Sequence, residues 1–503
     1  MSGLPDRVAN KGLLTASIML ATIMQSLDST IANVALPHIQ SSLAATQDEV
    51  AWVLTSYIIA AAVMYPLTGW LANAYGRRMV FLISVIGFIA ASALCGIATS
   101  LPALVFFRIL QGIGGAALVP LSQAVLFEIN RPQDYGRAMS VWGMGVTLGP
   151  IMGPTLGGLL TDHYSWRWVF YVNLPIGLLA LAGLYLTLPK KQNMRISRFD
   201  FFGFAMLSLA VASLQLMLDR GQKLDWFSSP EIIAEAVAAA LGLYLFVVHI
   251  LSSDRPFVTP ALFKDRNFAA ANFFLFVIGI VLFANLALHP LLLQGQLHYP
   301  VILSGMVLAP RGVGTIIGMV AVGRLVPRID ARLAMAAGLC LTAWSLWQMS
   351  NYSLLMGPWP VIVAGIVNGI GIGALNVALA TVAFVTLPAE LRNEGTALSN
   401  LIRSLGAAVG ISVMVFLLTR NTQRMHAALA GDITPYNIAG NPAALAAHVD
   451  VRSQAGLLAL NGLVTNQGAM VAYIGDFRLM MILTLFALPF LLLFRRAKAG
   501  TPA

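Results

Sequence analysis

Apolar runs of about 20 residues, long enough to cross roughly 30 Å of hydrocarbon at 1.5 Å per residue, recur from end to end of this 503-residue chain. No other feature constrains its fold as strongly. Charged residues make up only 10% of the chain and hydrophobic ones 58%, whereas soluble domains average about 25% charged. An ordinary soluble fold is therefore excluded, and the expectation is an all-α polytopic membrane protein.

Apolar windows between charged or Pro/Gly-rich breaks fall near 13–36, 50–72, 79–98, 101–128, 134–161, 166–188, 201–218 and 230–251. Six more follow near 268–293, 300–323, 332–350, 357–387, 394–419 and 471–494. The pattern predicts fourteen transmembrane helices. The opening "MSGLPDRVANKGLLTASIML" lacks the short apolar core and small-residue cleavage site of a secretory signal, so the first run is expected to remain as a span.

With the N-terminus inside, twenty of the thirty Lys and Arg fall in inner segments, seven in outer ones, and Arg108, Arg311 and Arg403 within spans. That bias places both termini in the cytoplasm and accounts for the net charge of +10 without nucleic acid, for which interleaved basic and aromatic blocks are missing. Both cysteines, Cys95 and Cys340, lie inside apolar runs and read as core packing. No metal spacing occurs among the histidines, with His163, His249, His289 and His298 at or near span ends, and no phosphate loop is present.

An internal repeat sharpens the architecture. "GWLANAYGRR" after span two parallels "GRLVPRIDAR" after span ten, from Gly69 to Gly323 at an offset of 254. "LQGIGGA" from Leu110 parallels "VNGIGIGA" from Val367, and "GRAMS" at Gly136 parallels "GTALS" at Gly395, at offsets of 257 and 259. One duplication explains all three, pairing spans one to six with nine to fourteen in the same orientation. Parallel halves of this kind are a transporter architecture, with the substrate path between them. The division is a cytoplasmic segment 1–12, a first six-helix bundle 13–188, a linker 189–267 with two inserted helices, a second bundle 268–495, and a tail 496–503. A connection of about 50 residues, 420–470, lies on the outer side, with "AGLLALNGLV" in it able to form a short interfacial helix.

Polar residues inside such spans carry the functional signal. In span one, Gln25, Asp28, Ser29 and Asn33 form a polar stripe on an apolar helix, expected to face the cavity. Asp28 is the one acid placed well inside a span, while Glu128, Asp162, Glu231, Glu235 and Asp476 fall at span ends. Three readings stand for it: a proton site, a contact for a cationic substrate, or a structural hydrogen bond. In span four, Arg108, Gln111, Gly112 and Gly115 share a face; an intramembrane arginine needs an acid, carbonyls or water. Arg311 and Arg403 either meet an anionic part of a substrate, pair across the cavity or pack between helices. In "GMGVTLGPIMGPTLGG" of span five, Gly145, Gly149, Gly153 and Gly157 recur every fourth residue, and Pro150 and Pro154 remove backbone donors. A bare ridge of this sort admits a closely packed neighbour, either as a static pair or as a sliding or bending contact between the halves.

These segments together resemble the major facilitator superfamily, and within it the fourteen-span drug:proton antiporter branch of the EmrB type. "LDSTIANVALP", "GWLANAYGRR", "RILQGIGG", "GVTLGPIMGPTLGG" and "SWRWVFYVNLPIG" carry the resemblance over nearly all of residues 10–497. It implies that Asp28 and Arg108 take part in proton coupling, that the segment Gly145 to Gly158 controls leakage and gating, and that Gly69, Gly76, Arg77 and Arg78 govern the conformational switch. The chain departs from the family pattern at Asn73, where the loop signature usually has Asp, so a charged gate partner is missing. The resemblance further implies a proton-coupled exporter of hydrophobic drugs in the cytoplasmic membrane, with protons as coupling ion and no other cofactor. Branch members often work with a periplasmic adaptor and an outer-membrane channel, for which the 420–470 loop is a candidate docking surface. A dedicated exporter of a single metabolite, such as a fatty acid or siderophore, and a non-transporting scaffold or sensor are the rival readings.

Overall fold

A computed structural model describes residues 10–189, 198–253, 256–326, 328–432 and 453–494. Residues 1–9, 190–197, 254–255, 327, 433–452 in the middle of the 420–470 connection, and 495–503 with the whole tail lie outside the described residues. Within them the chain is helical and carries no strand, as a lipid solvent demands, because a backbone with no water to bond must pair its own N–H and C=O groups.

The first six long helices are α1 (Lys11–Ser42), α2 (Trp52–Tyr75), α3 (Arg77–Ile97), α4 (Leu101–Ile129, turning at Ala116 and Ala117), α5 (Tyr135–His163) and α6 (Asn173–Thr187). The inserted pair follows as α7 (Phe201–Arg220) and α8 (Pro230–Ser252). The second set is α9 (Arg266–Pro290), α10 (Val301–Leu325), α11 (Ala331–Met349), α12 (Pro358–Val385), α13 (Arg392–Asp432) and α14 (Gln454–Ala487). Eleven helices are long and apolar enough to cross a membrane. The other three, α1, α5 and α11, have 32, 29 and 19 residues and are diluted by polar or small residues, so fourteen spans fit the helix lengths.

Small residues set the spacing inside each half. A Cβ on Gly112 would meet Tyr57 O at 2.6 Å and Ala61 N at 3.3 Å; on Gly369 it would meet Arg311 O and, at 2.7 Å, Thr315 N. Gly112 and Gly369 are 257 apart, and both partner pairs are 254 apart. The duplication seen in the sequence is thus built as the same helix contact twice, α2 on α4 and α10 on α12. The inserted helices pack on each other and leave large apolar side chains such as Val237, Leu241 and Tyr244 outward, toward lipid.

One expectation is corrected. The connection 420–470 is not mainly a loop: α13 runs on to Asp432 and α14 begins at Gln454. At 1.5 Å per residue the 41-residue α13 spans about 60 Å, roughly twice a hydrocarbon core. The two extensions pair, with His426 Nε2 at 2.9 Å from Asn461 Oδ1 and a Cβ on Gly468 falling 3.1 Å from His426 N. Polar residues in "TRNTQRMHAALAGD" signalled exposure, and a solvent-exposed helical arm shares that composition.

Candidate functional site

Asp28 lies within the first bundle, fully buried. Its Oδ2 accepts from Arg108 Nη1 at 2.7 Å, and its Oδ1 accepts from Gln111 Nε2 at 2.8 Å and from Asn173 Nδ2 at 2.7 Å. Arg108 also donates from Nε to Val53 O at 2.9 Å and from Nη1 to Gln111 Oε1 at 2.8 Å, and its guanidinium stacks 4.3 Å from the Tyr57 ring. Asn173 bonds Ser92 Oγ at 3.0 Å, which donates on to Phe170 O at 2.8 Å. A carboxylate and a guanidinium removed from water are tolerated only when paired and bonded on most of their remaining sites, and five helices contribute to that here.

The Arg108–Gln111 spacing legible in span four thus meets Asp28 as an ion pair. Asn173, Ser92 and Tyr57 were not singled out by sequence reasoning; Asn173 stands in the motif "YVNLPIG", and its polarity inside an apolar run was the available signal. The polar stripe of α1 does not act as one surface: Asp28 turns into the bundle, Gln25 is buried beside Tyr57 and Tyr65, and Ser29 and Asn33 are exposed. The reason is breadth. The four residues span too wide an arc for a helix wedged between several neighbours to present on one side.

The glycine ridge of α5 faces α1 of its own half and not the second half. A Cβ on Gly145 would strike Met19, on Gly149 Ser26, on Gly153 Thr30 and on Gly157 Ile31, while Gly158 faces open space. Ser26 Oγ donates to Val146 O at 2.6 Å, the carbonyl that Pro150 leaves without its helical donor. Thr30 Oγ1 lies 3.1 Å from Gly149 O, with Leu27 O at 3.0 Å and Ser26 O at 3.2 Å as its other acceptors, so Ser26 is the side chain that replaces the donor Pro150 removes. The contact between halves uses the other side of α5, where Ile151 fills Gly312 and Met319 fills Gly143.

At the end of the bundle that holds the loop after α2 the halves are closed on each other. Asn393 Nδ2 donates to Asn73 Oδ1 at 2.7 Å, Asn400 Nδ2 to Gln123 Oε1 at 3.0 Å, and a Cβ on Gly69 would lie 2.9 Å from Glu394 Cα. Asn73 therefore meets the second half through a neutral amide pair. Gly76 ends α2 at φ 84°, a conformation open to glycine; Arg77 pairs with Glu128, and Arg78 donates to Leu188 O and, at 2.8 Å, to Tyr185 O. These arginines tie the loop to α4 and α6 of the same half. Glu394 in turn accepts from the backbone N and hydroxyl of Thr259, binding the linker from the inserted pair to the same corner.

In the second half Arg311 Nη1 donates to Asn285 Oδ1 at 2.7 Å and Arg403 Nη2 to Asn400 Oδ1 at 2.9 Å. His289, expected at an interface, is buried with Nδ1 2.8 Å from Asn285 O. Asp476, placed at a span end from sequence, is 1% exposed and lies near the start of the expected window 471–494 of α14. Asp476 is thus a second buried acid in addition to Asp28.

A family model described as Major Facilitator Superfamily matches residues 18–411, and the chain belongs to that superfamily. It is a multi-pass membrane transporter and not an enzyme. Its relatives place it with the EmrB-type multidrug permeases of the inner membrane. It is 36% identical over 427 residues to "Multidrug export protein EmrB" of Haemophilus influenzae, covering 84% of each chain. It is 35% identical over 434 residues to "Fatty acid resistance protein FarB" of Neisseria gonorrhoeae, covering 86% of each. Among solved structures, the human organic anion transporter MFSD10 shares the fold at a TM-score of 0.61 and 16% identity, over 94% of this chain and 99% of that one.

Proposed function

We propose that this transporter exports hydrophobic and amphipathic compounds across the cytoplasmic membrane in exchange for protons, with Asp28 carrying the proton. The observation that carries the reading is the ion pair of Asp28 and Arg108, sealed among α1, α2, α3, α4 and α6. A proton arriving on Asp28 Oδ2 cancels its charge and releases the Arg108 Nη1 bond, while Val53 O and Gln111 still hold the guanidinium. The carboxylate ties α1 to α4 and α6 directly, and through Arg108 and Asn173 to α2 and α3, so that change alters how the helices of the first bundle are tied together. One inward proton contributes about 2.3 kcal/mol per 100 mV and about 1.4 kcal/mol per pH unit, which supports uphill export without ATP. The amide pairs Asn73–Asn393 and Gln123–Asn400 serve as the inner gate, opened when the halves rock apart.

The paired extensions of α13 and α14 are the docking arm for a periplasmic adaptor leading to an outer-membrane channel. A scaffold role is disfavoured by the charge pair, since a static helix packing gains little from two buried ions. The test is flux in vesicles under an imposed pH gradient, comparing Asp28→Asn with the parent. Loss of gradient-driven flux with substrate binding retained supports the reading; unchanged coupling refutes it.

A further inference from the structure

The halves meet along two seams, and only one of them is bridged. Where α5 faces α10 the contact sets small residues against apolar ones, Gly143 under Met319 and Gly312 under Ile151, and no side-chain hydrogen bond crosses it among the described residues. Where α2 faces α13 the inserted helices lie across the seam: α7 packs on both. Behind it α8 packs on α7, a Cβ on Gly242 falling 2.9 Å from Ala210 N.

Both ends of the inserted pair are fastened to both halves. At the outer end Asp219 Oδ2 accepts from Thr55 Oγ1 at 2.7 Å, and Lys223 Nζ donates at 2.7 Å to Oδ1 of Asp48, just ahead of α2. The neighbouring Leu218 O accepts from Ser412 Oγ of α13 at 2.8 Å, and the Trp226 ring meets Phe416 of α13 edge-on at 5.4 Å between centroids. At the inner end Phe199, just ahead of α7, lies on Trp70 of α2 at 4.7 Å between centroids. Thr259, beyond α8, gives its backbone N–H and, at 3.1 Å, its hydroxyl to the Glu394 carboxylate of α13. Asp200 joins these two flanks, accepting from Gly203 N and Phe257 N at 2.9 Å with His249 Nε2 at the same distance.

Glu394 stands next to Asn393, whose amide meets Asn73 of the first half. Because Asp200 makes the flanks one piece, the inner ends of α2 and α13 cannot part while Phe199 stays on Trp70 and Thr259 on Glu394. Stripping two donors from a partly buried carboxylate is costly, so this fastening resists opening.

We infer that the inserted pair is a strap across the α2–α13 seam and that its inner clasp, Thr259 on Glu394, latches the inner gate and lets go when the inner side opens. The inference rests on the rocking of the halves within the export reading and not on where the proton binds. Glu394 is a positioning residue in this scheme, acting on the neighbouring amide pair.

The full-length protein with Cys340→Ser, in phosphatidylcholine nanodiscs, is spin-labelled at Tyr75→Cys and Ala389→Cys, exposed positions at the inner end of α2 and just ahead of α13. Pulsed dipolar spectra of the frozen sample at one fixed pH hold every populated conformer, so neither substrate nor gradient is needed. Glu394→Ala is expected to raise the long-distance fraction about fivefold, the effect of losing one net hydrogen bond. Glu394→Gln, whose amide oxygen still accepts, gives a much smaller rise, and Thr55→Val, which loosens only the outer fastening, gives none. A fraction in Glu394→Ala equal to or below the parent's, or an equal rise in Glu394→Gln or Thr55→Val, overturns the inference. Should Glu394→Ala not fold, Thr259→Val decides: removing that hydroxyl must raise the fraction, and no rise overturns the latch. The effect of Glu394→Ala is expected to persist in Asp28→Asn, so a failed proton reading leaves the latch standing and a failed latch leaves the proton reading standing.

Discussion

The first bundle closes its charge and the second leaves it open. Asp28, Arg108, Gln111 and Asn173 satisfy one another with four bonds of 2.7 to 2.8 Å, whereas Arg311 meets only a neutral amide. Because one duplication built both halves, the contrast separates what the fold requires from what each half does. The fold requires the Gly112 and Gly369 contacts, which both halves keep. The charges are not common to both halves: the first pairs its arginine with a carboxylate, the second with a neutral amide.

The contrast breaks most directly by removing each arginine in turn. Arg108→Ala strands a buried Asp28 and is expected to cost about 3–5 kcal/mol, read as a fall in the thermal unfolding midpoint in detergent. Arg311→Ala strands no acid, so it should lower the midpoint far less; equal losses would show that the halves do not differ as described. Next in size is the glycine ridge. Gly149→Ala drives a methyl into Ser26 and should cost about 1–3 kcal/mol, with loss of drug resistance in cells, while Gly158→Ala, facing open space, should stay within about 0.5 kcal/mol.

Two smaller effects sharpen the picture. Ser26→Ala removes the donor to Val146 O and should destabilise by about 1 kcal/mol; an unfolding midpoint matching the parent's would mean that the carbonyl freed by Pro150 needs no donor from α1. Asn73→Asp places a negative charge near the start of α13, where a helix N-terminus favours it by about 0.3–1 kcal/mol. The inner gate should then open less often, seen as slower labelling of a cysteine introduced just behind Asn393 by a reagent added to the cytoplasmic side. Faster labelling would contradict the role given to the Asn73–Asn393 contact.

Much of this was legible in the sequence because lipid simplifies the rules. Helix lengths follow from bilayer thickness, the repeat from matching glycines, and the prominence of Asp28 and Arg108 from the cost of charge in hydrocarbon. Span ends were read less well: α13 and α14 continue past their apolar windows, since a helix that leaves the membrane may become polar without ceasing to be a helix.

The sequence by itself determined the helices, the two halves and the residues too polar to face lipid, since each of these follows from local composition and periodicity. Only the tertiary structure decided the pairings. Asp28 and Arg108 are 80 residues apart, the glycine ridge had several possible neighbours, and Asn73 found its partner 320 residues away. Which side chains satisfy a buried charge depends on how helices are rotated and stacked, and that is settled by packing of the whole bundle rather than by any one segment.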